Sequence, residues 1–168
     1  NMQDLKDKVI AITGGATGIG FALAKTLGQE GAKIIIGEPR KEKLEEAVKI
    51  LRDLGIETYE TLLDVTNLKS VEEFAEFTIK SFGHVDILIN NAGISGARGR
   101  IDKVDIKKAK NVFDVNFFGV WHGCAVFSKK MIEQGTSAAI YNLGSENSLF
   151  IAVPKSVAYV ASKHAVFA

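Results

Sequence analysis

The sequence predicts an α/β protein: a doubly wound parallel sheet with helices on both faces, three layers in all. Three observations carry that expectation. Short apolar runs suited to buried strands alternate with helical patterns, and the connections between them are short. The first run, residues 9–12, enters the glycine-rich stretch Thr13-Gly14-Gly15-Ala16-Thr17-Gly18-Ile19-Gly20 and then a helix. No linker, repeat or low-complexity segment divides the chain, so one domain is expected over residues 1–168, long enough to bury a substantial core.

Composition narrows the function classes. With 21 basic and 20 acidic residues interspersed and a net charge of +1, neither a nucleic-acid nor an anionic-membrane partner is expected. No apolar run has the length of a membrane span, and the start of the chain (Asp4, Lys6, Asp7, Lys8) lacks a signal-peptide pattern. The single cysteine, Cys124, excludes an intrachain disulfide and fits a reducing compartment, so the cytoplasm is expected. Its small and apolar neighbours make Cys124 core filler.

The first unit places backbone N–H groups and a helix N-terminus where an anionic pyrophosphate would bind. Gly14 turns the chain off the strand, Gly18 lets backbone approach a ligand, and Gly20 lets the helix pack close to the sheet. The spacing is Gly-x3-Gly-x-Gly, and by itself it equally fits a tight strand-to-helix connection with no ligand. A second strand over 33–36 is broken by Gly37-Glu38-Pro39-Arg40. Leu44, Ala47, Val48, Leu51 and Leu54 then mark a helix stopped by Gly55. Residues 57–63 form a third strand ended by Asp64. Ser70, with Glu73 three residues on, predicts a capping box for a helix using Val71, Phe74, Phe77 and Phe82 and stopping at Gly83.

A fourth strand over 85–89 leads into Asn90-Asn91-Ala92-Gly93. Residues 94–105 read as a basic, glycine-containing loop. Residues 105–134 form a long helical region interrupted near Gly119 and stopped at Gly135. A fifth strand over 138–143, a loop over 145–154 and a last helix from Lys155 complete the chain.

The motifs Thr13-Gly14-x3-Gly18-x-Gly20, Asp64, Asn90-Asn91-Ala92-Gly93, Asn116, Ser145 and Tyr159-x3-Lys163 stand in this order along the chain. In that combination the chain resembles the classical short-chain dehydrogenase/reductases from the first strand to the last residue. The resemblance implies a Rossmann-type fold and an oxidoreductase moving hydride between a nicotinamide cofactor and an alcohol or carbonyl substrate. It implies a cofactor-binding set of Gly14, Thr17, Gly18, Ile19, Gly20, Glu38, Asp64, Val65, Asn91, Ala92, Gly93, Tyr159 and Lys163, with Asp64 at the adenine end. Asn116, Ser145, Tyr159 and Lys163 are the implied catalytic set, Asn116 reaching Lys163 through water. A homodimer or homotetramer is implied, built on the long helix and the Tyr-Lys helix. Phe117, Phe118 and Trp121 on the long helix also fit a plain core.

Two departures from the family follow. The 14 positions from Ser145 to Tyr159 are one more than many relatives have, so the intervening loop is expected to bulge. Family members also add two strands, a Pro-Gly segment and a substrate-covering loop after the Tyr-Lys helix. The polypeptide is therefore expected to continue past residue 168. The second function class left open is a dinucleotide-binding module without turnover.

The chemistry is explicit. An ordinary phenol, with a pKa of about 10, is a poor base at neutral pH, and Lys163 one turn along brings a cation that favours its ionised form. Ser145 would hydrogen-bond the substrate oxygen, with Ser148 as the alternative. Glu38, 18 residues past Gly20, suits the ribose hydroxyls of NAD and repels a 2′-phosphate, so NAD is expected over NADP. Arg40 is the counter-argument, since it could pair that phosphate. His84, His122 and His164 share no metal-ligand spacing, so no metal is expected, and Glu146 is an exposed loop carboxylate.

Overall fold

The computed structural model describes residues 5–148 and 153–168. Five parallel strands, β1 (Val9–Thr13), β2 (Lys33–Glu38), β3 (Thr58–Leu62), β4 (Ile87–Asn90) and β5 (Ala139–Asn142), form one sheet in the order β3-β2-β1-β4-β5. The helices are α1 (Gly18–Gln29), α2 (Lys41–Asp53), α3 (Leu68–Phe82), α4 (Ile106–Phe113), α5 (Gly119–Gln134) and α6 (Val157–Phe167).

Strand alternation divides the core. Ile10, Ile12, Ile34 and Ile36 pack on one face with Ala24 of α1 and Leu44, Val48 and Leu51 of α2. Ala11, Ile35 and Leu88 face the other way, onto Val71 and Phe74 of α3 and Phe127 of α5. Both faces of β1 are closed, which is why Val9, Ile10, Ala11 and Ile12 are all apolar. This is the expected Rossmann-type architecture.

Strand order reverses between β2-β1 and β4-β5, leaving a crevice beyond the carboxyl ends of β1 and β4. Thr13 pairs with Gly37 on one side and Asn90 on the other, and Asn90 with Asn142. The residues that follow these strands therefore meet along a single edge.

Several elements differ from expectation. β2 runs on through Gly37 and Glu38 because Gly37 stays in register with Thr13 and Thr61. A Cβ on Gly37 would lie 2.5 Å from Leu63, so close packing, not chain breaking, calls for glycine there. Asn67, not Ser70, caps α3: its Oδ1 accepts from the backbone N–H groups of Lys69 and Ser70, while Ser70 Oγ accepts from Asp64 N. The interruption before Gly119 is a π-helical turn over Asp114–Phe118, closed by Gly119 N–H on the carbonyl of Asp114, five residues back.

Phe118 and Trp121 are 47% and 62% exposed, and with Phe117 they form an aromatic cluster on the helix surface, outside the core. Cys124 is half-buried, its Sγ 3.5 Å from Asn90 Nδ2 and Asn142 Oδ1, so it is not plain core filler either. Of the loop over 145–154, residues 149–152 lie outside the described residues, and with them the expected bulge. Among the described residues no helix is long and apolar enough to cross a membrane.

Candidate active site

The glycine turn is built as its spacing suggests. Gly14 takes φ +64°, and both Gly14 N–H and Gly15 N–H reach the Gly37 carbonyl, at 2.8 and 3.3 Å. Gly18 takes φ +54° with open space where a Cβ would stand. A Cβ on Gly20 would collide with the Asn91 amide and the Gly14 carbonyl, so α1 approaches the end of β4 as closely as backbone allows. Thr17 occupies the N-cap of α1 without capping it, and the first turn carries no acidic residue, so the positive end of the helix is uncompensated.

Asn91 locks this turn. Its Nδ2 donates to the carbonyls of Thr13 and Gly14, at 3.0 and 2.9 Å. In return Thr13 Oγ1 accepts from the backbone N–H groups of Asn91 and Ala92, both at 3.0 Å.

A cleft of about 720 Å³ crosses the carboxyl ends of the strands. At one end stand Glu38, Asp64 and Val65; Thr17, Gly18 and Ile19 line its middle; Tyr159 and Lys163 stand at the other end. Gly14, Asn91, Ala92 and Gly93 also border it. Of the residues expected to bind cofactor, Gly20 alone is not in the wall, being spent on packing. Asn116 and Ser145 are not in the wall either.

At the first end the Glu38 carboxylate is 2% exposed and accepts from Arg40 Nε at 2.6 Å. Arg40 Nη2 continues to Thr17 Oγ1 at 3.1 Å, joining the end of β2 to the start of α1. Asp64 Oδ1 accepts from both N–H and Oγ1–H of Thr66, at 3.0 and 2.7 Å.

At the far end Lys163 is buried, and its Nζ donates to the Leu143 carbonyl at 2.8 Å. Burial pushes its pKa below that of an ordinary lysine. Asn116, in the π turn, is fully buried. Its Oδ1 accepts from Ile94 N at 2.8 Å, and its Nδ2 donates to the Ile94 carbonyl at 2.9 Å and to Ser162 Oγ at 3.0 Å. Asn116 and Lys163 are not directly bonded but converge on Gly93, where an added Cβ would lie 3.5 Å from Asn116 Oδ1 and 3.7 Å from Lys163 Nζ.

Ser145 is half-buried, and its N–H donates to Ser148 Oγ at 2.9 Å. Ser148 is itself buried, so it supports Ser145 from behind. The sequence reading missed Ser162, Ile94 and Leu143. Two of these act through backbone atoms, and Ser162 carries no motif spacing of its own. Among the described residues no group of three metal-ligating side chains forms.

The cleft fits a dinucleotide: an uncapped helix N-terminus for the pyrophosphate, a glycine with free approach, and a carboxylate at one end for ribose hydroxyls. The short chain dehydrogenase family matches residues 8–168. The chain is 34% identical over 164 residues to a C alpha-dehydrogenase of Sphingobium sp. strain SYK-6, covering 96% of this chain and 54% of that protein. A short-chain dehydrogenase/reductase from Burkholderia phymatum in complex with NAD is similar in structure, with TM-score 0.94 and 36% identity over 99% of this chain and 58% of that one. An actinorhodin polyketide ketoreductase variant with NADPH matches at TM-score 0.90 and 31% identity, over 95% of this chain and 61% of that one. The chain thus spans between about half and three fifths of the length of these relatives. Glycine turn, sheet order, Tyr-Lys pair and near-complete coverage of this chain agree: it belongs to the short-chain dehydrogenase/reductase family.

Proposed function

We propose that the protein carrying this chain oxidises an alcohol or reduces a carbonyl of a small molecule, with NAD as its preferred cofactor. The observation that carries the reading is the single cleft running from the Glu38 carboxylate, past the uncapped start of α1, to Tyr159 and Lys163. Bound at the Lys163 end, nicotinamide would supply or accept the hydride. Tyr159 Oη gives its proton to the substrate oxygen as negative charge builds there, and takes it back in oxidation. Lys163, one turn along α6, supplies the positive charge that favours the deprotonated phenol. Ser145 holds the substrate oxygen, and Asn116, joined to α6 through Ser162, fixes the floor beneath Gly93. At the other end Glu38 takes the ribose hydroxyls and the Asp64–Val65 wall the adenine. The exposed Phe117, Phe118 and Trp121 cluster suits a homo-oligomeric contact.

A second reading is a module that binds dinucleotide without turnover, favoured by the absence of Ser145 from the cleft wall. Assaying the complete protein with NAD against a panel of alcohols and carbonyls, with nucleotide binding measured in parallel, separates the two. Turnover lost in Tyr159→Phe with binding retained supports the enzyme. Binding without turnover on any substrate supports the module.

A further inference from the structure

We propose that His122 is a positioning residue for the cofactor, acting from α5 through the Val65 carbonyl to set the Asp64–Val65 end of the cleft; this rests on the dinucleotide reading above. Val65 lies in the turn after β3 and borders the cleft. His122 Nδ1 lies 2.8 Å from the Val65 carbonyl oxygen. A carbonyl only accepts, so Nδ1 carries the hydrogen and donates it. The bond joins residues 57 apart in sequence. His84 and His164, by contrast, spend their rings within two to four residues of themselves.

A second contact points the same way. Gly119 stands three residues before His122, on the same side of the helix. A Cβ there would lie 2.7 Å from Val65 Cγ2 and 3.0 Å from Val65 Cβ. Helix α5 thus seats Val65 twice, by a hydrogen bond at position 122 and by the missing side chain at position 119. Asp64 is fixed from its own side by Thr66 and by the Ser70 hydroxyl. The Val65 N–H has no hydrogen-bond partner among the described residues, so it is the donor left at this wall for an acceptor edge such as a purine nitrogen. With the carbonyl held on α5, that donor is placed before any ligand arrives.

The test uses the complete protein and its His122→Ala, His122→Asn and Gly119→Ala variants. NAD, ADP-ribose and nicotinamide mononucleotide are titrated calorimetrically, and kcat is measured at saturating NAD. His122→Ala should weaken NAD and ADP-ribose by roughly tenfold, the scale of one hydrogen bond to a buried carbonyl. It should leave nicotinamide mononucleotide and kcat within about twofold. His122→Asn keeps a side-chain N–H near the Nδ1 position and should restore most of the affinity. Equal ADP-ribose affinity in wild type and His122→Ala, or an equal loss for both half-ligands, overturns the role of His122. If His122→Ala does not fold, Gly119→Ala decides, since it displaces Val65 directly and should show the same split. Wild-type protein that binds neither NAD nor ADP-ribose overturns the underlying dinucleotide reading instead.

Discussion

Arg40 Nε lies 2.6 Å from Glu38 Oε1, and the Glu38 carboxylate is almost wholly buried beneath it. The hydrogen bond to Glu38, and then its charge, hold the guanidinium above its ordinary pKa. A 2′-phosphate drawing on Arg40 would have to break this pair and the bond to Thr17. NAD should therefore bind more tightly than NADP. Glu38→Ala removes the ribose acceptor and frees Arg40 together, so the preference should fall by at least about tenfold. Parallel titration of both cofactors checks this; equal affinities in the wild type would defeat it.

Tyr159→Phe keeps the ring and deletes the proton the reaction moves. Turnover in the complete enzyme should drop by about 10²–10⁴-fold, with the Kd for NAD nearly unchanged. Ser145→Ala should lower turnover while leaving the shape of the pH–rate profile. Lys163→Met should lower turnover and carry the profile to higher pH, because the phenolic oxygen loses its neighbouring cation. Near wild-type turnover in Tyr159→Phe would sink the catalytic assignment.

Lys163 also makes a prediction about folding. Its pKa in the fold lies below the ordinary 10.5 because it is buried. Between those two values the unfolded chain binds more protons, so this group's contribution to stability rises with pH across the window. Urea unfolding of wild type and Lys163→Met at about pH 7 and about pH 10 should show the wild type gaining on the variant as pH rises. A constant difference would argue against a burial penalty.

At the opposite end of the sheet, burial would push the Asp86 carboxyl up. The bond from Val9 N–H at 2.8 Å, together with Lys8 and His84, outweighs it and holds the pKa below 3.8. A depressed carboxylate stabilises above its unfolded pKa, and that stability is lost as pH falls through the folded value. Asp86→Asn should cost about 1–3 kcal/mol at neutral pH, with the difference shrinking below about pH 4. Chemical denaturation across that range reads it out.

Asn91 supplies both donors that hold the Thr13 and Gly14 carbonyls. Asn91→Asp sets a carboxylate against two carbonyls and should destabilise more than Asn91→Ala, itself about 1–3 kcal/mol. Thermal unfolding ranks the two variants, and the reverse order would show that Asn91 does not act through its N–H groups.

Most of the fold was legible because apolar runs and glycines act locally. Val9 to Ile12 must be apolar when both faces of a strand are covered, and Gly83 and Gly135 take the left-handed φ that ends α3 and α5. What escaped depends on neighbours distant in sequence. Nothing at Ser70 indicates that its hydroxyl is spent on Asp64, leaving the cap to Asn67. Gly37 looks like a break until Leu63 lies against it. Phe118 and Trp121 read as core because hydrophobicity does not say which side of a helix is covered. At the site, the motif spacings bring Glu38, Asp64, Tyr159 and Lys163 to one cleft. The anchors of Asn116 at Ile94 and Ser162 follow only from the folded chain.

The π turn over Asp114–Phe118 inserts one residue into an otherwise regular helix. Deleting a residue there would restore ordinary helical winding and rotate everything beyond it by about 100° relative to α4. Gly119 and His122 would swing off Val65, Gly123 off Asn90, and the aromatic cluster to a new bearing, all in one step. Codon-by-codon deletion scanning should therefore show a sharp intolerance at 114–118, where many single substitutions pass. The length of that segment is a more stringent constraint than the identity of most residues in it.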